Sequence, residues 1–334
     1  MITVRYKSNF MKNRPYYLGI DIGGTKCAVV AGTTEMEILD RIQFPNRTEK
    51  GPDFTISKLL AASSSLIGKF SNNSLVAIGI SCGGPLDSKK GIIQSPPNLP
   101  GWNDIEIVGI IKNKFNVPVY LQNDANACAL AEWRFGAGKG TSNMIFLTFG
   151  TGLGAGLILD GKIYSGTNDL AGEIGHIRLA DDGPEAYGKK GSFEAFCSGS
   201  GISSLAKRVI KEKLKNGEKV ALCENGATIE NITTKELAEA ADAGDRTAKE
   251  IFELSARYLG TGLSILIDIL NPQCIVIGSV YARNPHLFEA ISQEVIAREA
   301  LKPAWDVCEI VPAALGDQVG DYACLSVAMN HQPT

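Results

Sequence analysis

Histidine, paired cysteines and surplus charge are all scarce in this chain. Only three histidines occur in 334 residues, and the eight cysteines (Cys27, Cys82, Cys128, Cys197, Cys223, Cys274, Cys308 and Cys324) include no C-x-x-C pair. Scattered mostly among apolar neighbours, they read as reduced, buried thiols rather than as a disulfide framework or a metal cluster. A net charge of −3 lacks the basic excess that nucleic acid would require. No apolar run reaches the length of about 18 residues that a bilayer span needs. The richest stretch, Leu263 to Leu270, is interrupted by Asp268 and ends at Asn271-Pro272. Met1 to Tyr16 carries Arg5, Lys7, Lys12 and Arg14 without the apolar core of a signal peptide, so a cytoplasmic protein is expected. That segment reads as a disordered leader, with Met11 as an alternative start. A Walker loop is missing too: Gly138-Lys139-Gly140 has the wrong spacing and reads as part of a link, Gly136–Gly140.

What is present fits a globular enzyme of two lobes, since 334 residues exceed one ordinary domain. Short β-rich runs bounded by glycine predict strands at Tyr17–Ile22, Cys27–Ala31, Glu37–Gln43, Leu75–Ser81 and Val119–Gln122. Helices are expected over Phe54–Phe70, Ile105–Phe115 and from Asn123-Asp124 through Phe135. The pattern restarts with strands Met144–Phe149 and Gly154–Leu159, joined by a Gly-Thr-Gly turn like the one in the opening hairpin. A helix-rich second half follows: Gly199–Lys215, Thr234–Ala243, Asp245–Leu270 and Pro285–Ala300, with strands at Cys274–Gly278 and Cys308–Pro312. The polar stretch Lys211–Thr234 reads as a surface excursion. The expected division is an N-terminal α/β lobe over 1–122, with the helix of 317–334 packing back on it, and a larger α/β lobe over 123–316.

Asp21-Ile22-Gly23-Gly24-Thr25-Lys26 follows a strand directly. Consecutive glycines let backbone amides approach a polyphosphate, Thr25 adds a hydroxyl, and Lys26 adds a positive charge. Asp21, at the strand end, is placed to hold Mg²⁺ directly or through water. The same residues would also make a simple tight hairpin. A second small-residue turn, Gly150-Thr151-Gly152-Leu153-Gly154, favours the phosphate reading. Between them lies Asn123-Asp124, a carboxylate at a helix start. It could accept the proton of an attacking hydroxyl, with Asn123 bonding the sugar, or the pair could simply cap the helix.

Asp21-x-Gly-Gly-Thr-Lys26, Gly79–Pro85, Pro97-Asn98-Leu99-x-Gly-Trp102, Asn123-Asp124-Ala-Asn126-Ala127, Phe149-Gly-Thr-Gly-x-Gly154 and Gly172-Glu-Ile-Gly-His176 together resemble the ROK sugar kinases, from about Leu18 to Ala328. The resemblance implies an actin-like, hexokinase-type two-lobed fold of ribonuclease H-like lobes, with a cleft that closes on ATP and a hexose. It implies Asp124 as catalytic base and Asn98, Asn123, Glu173, His176 and Glu194 around the sugar, with Gly278 near the nucleotide base and Gly199 as a further candidate there. Mg²⁺ as cofactor, a homodimer and glucose as first substrate follow from the same likeness. N-acetylmannosamine, N-acetylglucosamine and other hexoses are the alternatives within it, with Pro85 and Leu86 where selectivity could arise. Outside catalysis, the alternatives are a sugar-sensing regulator and a non-catalytic sugar-binding protein. Only 16 residues precede the first expected strand, too few for a regulator's winged helix-turn-helix module.

One stretch departs from the family. Its members usually follow the histidine with C-x-C-G-x-x-G-C-x-E, which holds structural zinc. Here Glu185, Tyr187 and Ser192 stand at the cysteine positions and Glu194 at the glutamate. A tetrahedral Cys₃His site needs thiolates, so no zinc is expected, and packing through Tyr187 and Phe193 is expected to hold the loop instead.

Overall fold

Continuous apolar runs make strands that are buried on both faces, and two of them lie at the centre of the first sheet. The computed structural model describes residues 14–35, 37–224 and 229–330. Strands β1 (Pro15–Ile22), β2 (Lys26–Gly32) and β3 (Ile38–Pro45) precede helix α1 (Gly51–Lys69), then strand β4 (Ser74–Cys82). The short strands β5 (Leu86–Asp87) and β6 (Ile92–Ile93) lead to helix α2 (Ile107–Phe115), strand β7 (Val119–Asn123) and helix α3 (Asp124–Phe135). Strands β8 (Met144–Phe149), β9 (Leu153–Leu159) and β10 (Lys162–Tyr164) follow, then a small hairpin of β11 (Glu185–Ala186) and β12 (Lys189–Lys190). Helices α4 (Phe193–Cys197), α5 (Gly199–Lys215), α6 (Ala221–Glu224), α7 (Thr234–Asp242) and α8 (Arg246–Leu270) come before strand β13 (Cys274–Ile277). Helices α9 (Ser279–Arg283), α10 (Glu289–Glu299) and α11 (Lys302–Trp305), strand β14 (Glu309–Pro312) and helix α12 (Val319–Met329) end the order.

The chain packs as two compact units. One holds the chain up to Gly140, Gly156–Ala171 and the segment from Ala314, and the other holds Thr141–Ala155 and Gly172–Ala313. In the first, the sheet order is β3-β2-β1-β4-β7, antiparallel from β3 to β1 and parallel from β1 to β7. One face buries Leu18, Ile20, Val29, Ile78 and Ile80 with Leu59 and Leu66 of α1 and Ile111 of α2. The other buries Tyr17, Val30 and Ala77 under Cys324, Leu325 and Ala328 of α12. Gly19 and Gly79 explain how close that helix comes: a Cβ on Gly79 would strike the Cys324 carbonyl and the Ala328 amide, and one on Gly19 would strike the Cys324 sulfur.

In the second unit, the fully buried β13 lies between β8 and β14 and runs parallel to both. The long α8 turns a stripe of Ile251, Phe252, Leu259, Leu263 and Ile267 inward, with Asp245 capping its start through the Ala248 amide. Helices α4, α5 and α10 pack on it.

Most expected elements appear within two residues of their expected ends. The helix expected over Pro285–Ala300 is instead a 3₁₀ turn at Pro285–Leu287 followed by α10. Phe288 leaves helical geometry between them and buries its ring among Phe149, Phe252 and Tyr281. The Gly136–Gly140 link is tied down: Glu132, fully buried, accepts from the Gly136 and Gly138 amides through its carbonyl and from the Ala137, Ala314 and Leu315 amides through its carboxylate. The seven described cysteines are free thiols. The Cys223 side chain, the leader up to residue 13 and residues 225–228 of the polar excursion lie outside the description.

Candidate active site

The first unit gathers its polar residues at the ends of β1 and β7. The turn after β1 is closed by the Gly23 amide donating to the Lys26 carbonyl at 3.1 Å. Asn46 pins it from outside, donating its backbone amide to the Thr25 carbonyl and its side-chain amide to the Gly23 carbonyl, and Thr55 holds Asn46 in turn. The amides of Gly24 and Thr25 donate to no described residue, which leaves two adjacent backbone donors for an anion. Asn46 and Thr55 are absent from the sequence expectations, because only the folded chain brings residue 46 to residue 23.

A Cβ on Gly24 would lie 2.7 Å from the Asn98 carbonyl oxygen, so this glycine is small because the Asn98 backbone rests on it. Gly83 and Gly84 lie beside the other polar groups at looser distances. A Cβ on Gly83 would stand 3.5 Å from both Asn98 amide atoms and 3.8 Å from Asp124 Oδ2, and one on Gly84 3.2 Å from Asn123 Nδ2. Asn98, Asn123 and Asp124 therefore meet around one glycine pair. Asn123 does cap α3, its Oδ1 accepting from the Ala125 amide at 2.9 Å, which leaves its Nδ2 turned to the cluster. Gln122 accepts from the Asn123 and Asn126 amides, and Ser165 accepts from both Gln122 and Asn126, so the β7–α3 junction is braced from behind.

The Asp124 carboxylate is reached by solvent yet hemmed in by protein, and burial pushes its pKa above the usual carboxylate range against the pull of the Ala125 amide. Asp21 is raised further, to about 7, by burial first and then by the Asp321 and Asp124 carboxylates, with Lys26 and Arg41 opposing. Asp21 accepts no hydrogen bond from the described residues. A half-buried carboxylate that feels two others is a natural seat for a cation, so Asp21 fits Mg²⁺. No group of three or more His, Cys, Asp or Glu among the described residues is spaced to hold a metal ion, so protein would supply little of its coordination.

The second unit builds its turn differently. Thr148 Oγ1 accepts from the Gly154 amide at 2.9 Å, and the Gly150 amide donates to the Gly152 carbonyl. The carbonyls of Gly150 and Thr151 are drawn to the start of α5, accepting from the Gly199 amide and from Ser200. The amides of Thr151 and Gly152 again donate to no described residue. Gly278 donates to the Leu147 carbonyl, and Ser279 Oγ would be 3.6 Å from a Cβ on Gly150, so the 150–152, 199–200 and 278–279 segments converge. Gly154 turns into β9 beside Thr148.

Glu173 precedes a 3₁₀ turn, Ile174–His176, that ends on His176, and both side chains are exposed. Gly175 presses that turn on the Leu153 carbonyl and on Glu194. Glu194 is committed to the phosphate-type turn, its Oε2 accepting from the Leu153 amide at 2.8 Å. Lys26 projects exposed from the start of β2.

A sequence profile of the ROK family matches residues 17–328. The chain belongs to the ROK family. It is 34% identical over 310 residues to a glucokinase of Halalkalibacterium halodurans, covering 91% of this chain and 92% of that one. It is also 29% identical over 329 residues to a xylose repressor of Bacillus spizizenii, covering 96% of this chain and 79% of that one. Among solved structures, a ROK family glucokinase from Streptomyces griseus, in complex with glucose and AMPPNP, superposes with a TM-score of 0.74 at 29% identity, over 94% of this chain and 99% of that one. The mixed α/β, hexokinase-type fold is thus that of the ROK kinases. No helix among the described residues is long and apolar enough to cross a membrane.

Proposed function

We propose that this ROK protein is an ATP-dependent hexose kinase in which Asp124 is the base, with glucose as the first sugar to test. The observation that carries the reading is the meeting of Asn98, Asn123 and Asp124 at Gly83-Gly84, with the Asp124 carboxyl poised above its usual range. Asn98 and Asn123 offer amides that pair sugar hydroxyls. Asp124 takes the proton of the attacking hydroxyl as that oxygen forms its bond to the γ-phosphorus and the bond to ADP breaks. The free amide pairs, Gly24 with Thr25 and Thr151 with Gly152, supply donors for phosphate oxygens. Asp21 would hold Mg²⁺, which when bound offsets phosphate charge. Gly278 and Gly199 are assigned to the nucleotide base from the family likeness, and both lie beside the second turn.

The regulator reading draws its support from the xylose repressor likeness. Coupled ADP release over hexoses and N-acetylhexosamines separates the two. Hexose-dependent ADP release is expected from the wild type, and Asp124→Asn should lower kcat by about 10²–10⁴-fold. A variant retaining more than about half of wild-type kcat would remove Asp124 from the role of base.

A further inference from the structure

Where the family carries its cysteine cluster, this chain builds a hairpin. Strands β11 and β12 pair Glu185 with Lys190 and Ala186 with Lys189, which makes Tyr187-Gly188 the two-residue turn. Both turn residues have positive φ, 48° and 68°, the primed geometry that fits a hairpin's twist. That geometry suits Asn, Asp or Gly at the first position, and a tyrosine there is disfavoured by its side chain. Tyr187 is also 71% exposed, so burial does not hold it. Its ring instead faces the His176 ring, with centroids 5.9 Å apart. From the next strand, the Lys189 ammonium donates to the His176 backbone carbonyl. Behind this contact, Arg178 donates to the Lys190 carbonyl at 2.8 Å, and the Leu179 and Ala180 amides donate to the Gly191 carbonyl.

We propose that Lys189, assisted by Tyr187, is a positioning residue that fixes His176 for sugar binding, a side-chain cation and a ring acting where a metal ion is otherwise used. The inference rests on the kinase reading's assignment of His176 to the sugar. The 3₁₀ turn that ends at His176 has its inner side set by Gly175 against Leu153 and Glu194. Its outer side is exposed, and there Lys189 bonds the His176 carbonyl and the Tyr187 ring faces the imidazole. Without them the imidazole would sample several rotamers and lose its aim at a hydroxyl.

Hexose and ATP affinities, read by calorimetry with circular dichroism on every variant, test this without depending on turnover. Lys189→Met should weaken hexose binding about tenfold, the reach of a lost charged hydrogen bond, while ATP affinity stays within about twofold. Lys189→Arg, which keeps a cationic donor, should recover most of the loss, and Tyr187→Ala should weaken hexose binding by about threefold. His176→Ala should weaken it at least as much as Lys189→Met. Unchanged hexose affinity in Lys189→Met, with weakened affinity in His176→Ala, would overturn the inference and leave the kinase reading standing. Unchanged affinity in His176→Ala would remove the sugar assignment and the inference together. Loss of the folded spectrum in both Lys189→Met and Lys189→Arg, or equal losses of hexose and ATP affinity, would make Lys189 a folding residue and sink the proposal.

Discussion

The two glycine turns look alike in sequence and are built for different neighbours. In the first unit Gly24 has no room for a Cβ, because the Asn98 backbone occupies it. In the second, Gly150 has ordinary van der Waals space, with Ser279 Oγ at 3.6 Å from where a Cβ would be. Both turns keep two adjacent amides without a described acceptor, so the shared motif supplies donors in each case. The glycines themselves differ: Gly24 makes space for a protein group, and Gly150 has ordinary space beside it that the kinase reading assigns to phosphate. The carboxylates beside them differ in the same way. Glu194 is satisfied by the Leu153 amide, whereas Asp21 feels two other carboxylates.

Valine at Gly24 should give the largest effect. Its Cβ would meet main chain, which cannot swing away, so Asn98 must shift and the Gly83-Gly84 cluster with it. We expect a loss of about 3 kcal/mol in stability, read by urea unfolding, with both hexose and ATP affinity reduced. Wild-type hexose affinity in Gly24→Val would break the comparison, since Gly24 would then not support Asn98.

Asp21→Asn should come next and should stabilise. With its pKa raised to about 7 from an ordinary 3.8, Asp21 keeps its proton in the fold over a range where the unfolded chain has lost it. The Asp21 contribution to stability therefore falls as pH rises between those two values, and its penalty is fully present above them. The asparagine variant escapes it, gaining about 2 kcal/mol at pH 8, with about 4 as the ceiling from the shift, and nothing below about pH 4. A gain that does not depend on pH would mean that the asparagine acts through packing rather than through charge.

Gly150→Val should cost less and more selectively. We expect ATP affinity to fall about tenfold, because a branched side chain stands before the free amides, with hexose affinity and unfolding midpoint close to wild type. Equal losses of both affinities would show that the second turn is as tightly packed as the first.

How much of this was legible in the sequence follows from which contacts are local. The five main strands of the first unit were readable because β1 and β4 are apolar at nearly every position, and Asp21, Gly23, Gly24, Thr25 and Gly150–Gly154 because they sit in short motifs after strands. The glycines inside β1 and β4 admit the backbone of α12, more than 200 residues later, a contact that no local pattern shows. The hairpins β5–β6 and β11–β12 have only two residues a strand, too few for any period to show. Asn98 was drawn from family likeness, and its seat on Gly24 is a contact between distant segments. Asn46, Thr148 and Ser165, which pin the turns and the β7–α3 junction, carry no pattern of their own.

Thr148→Val is the smallest expected effect and the one that sharpens the comparison most. Thr148 Oγ1 both accepts from the Gly154 amide at 2.9 Å and donates to the Gly154 carbonyl at 3.3 Å, closing the second turn from within its own strand pair. Asn46 closes the first turn from a separate segment, one that Thr55 of α1 holds in turn. Valine keeps the shape and leaves the Gly154 amide without its side-chain acceptor, a loss of about 1 kcal/mol. Because the second turn is also tied to Gly199 and Ser200, we expect that loss to appear as a small rise in ATP KM, about two- to threefold, with hexose KM unchanged. Asn46→Ala keeps the backbone amide but removes the side-chain donor to Gly23 and the acceptor for Thr55, so it should weaken hexose and ATP binding together through Gly24 and Asn98. If both pins instead shift only ATP affinity, the first turn is as independent of the sugar residues as the second, and the difference drawn between the two glycines does not hold.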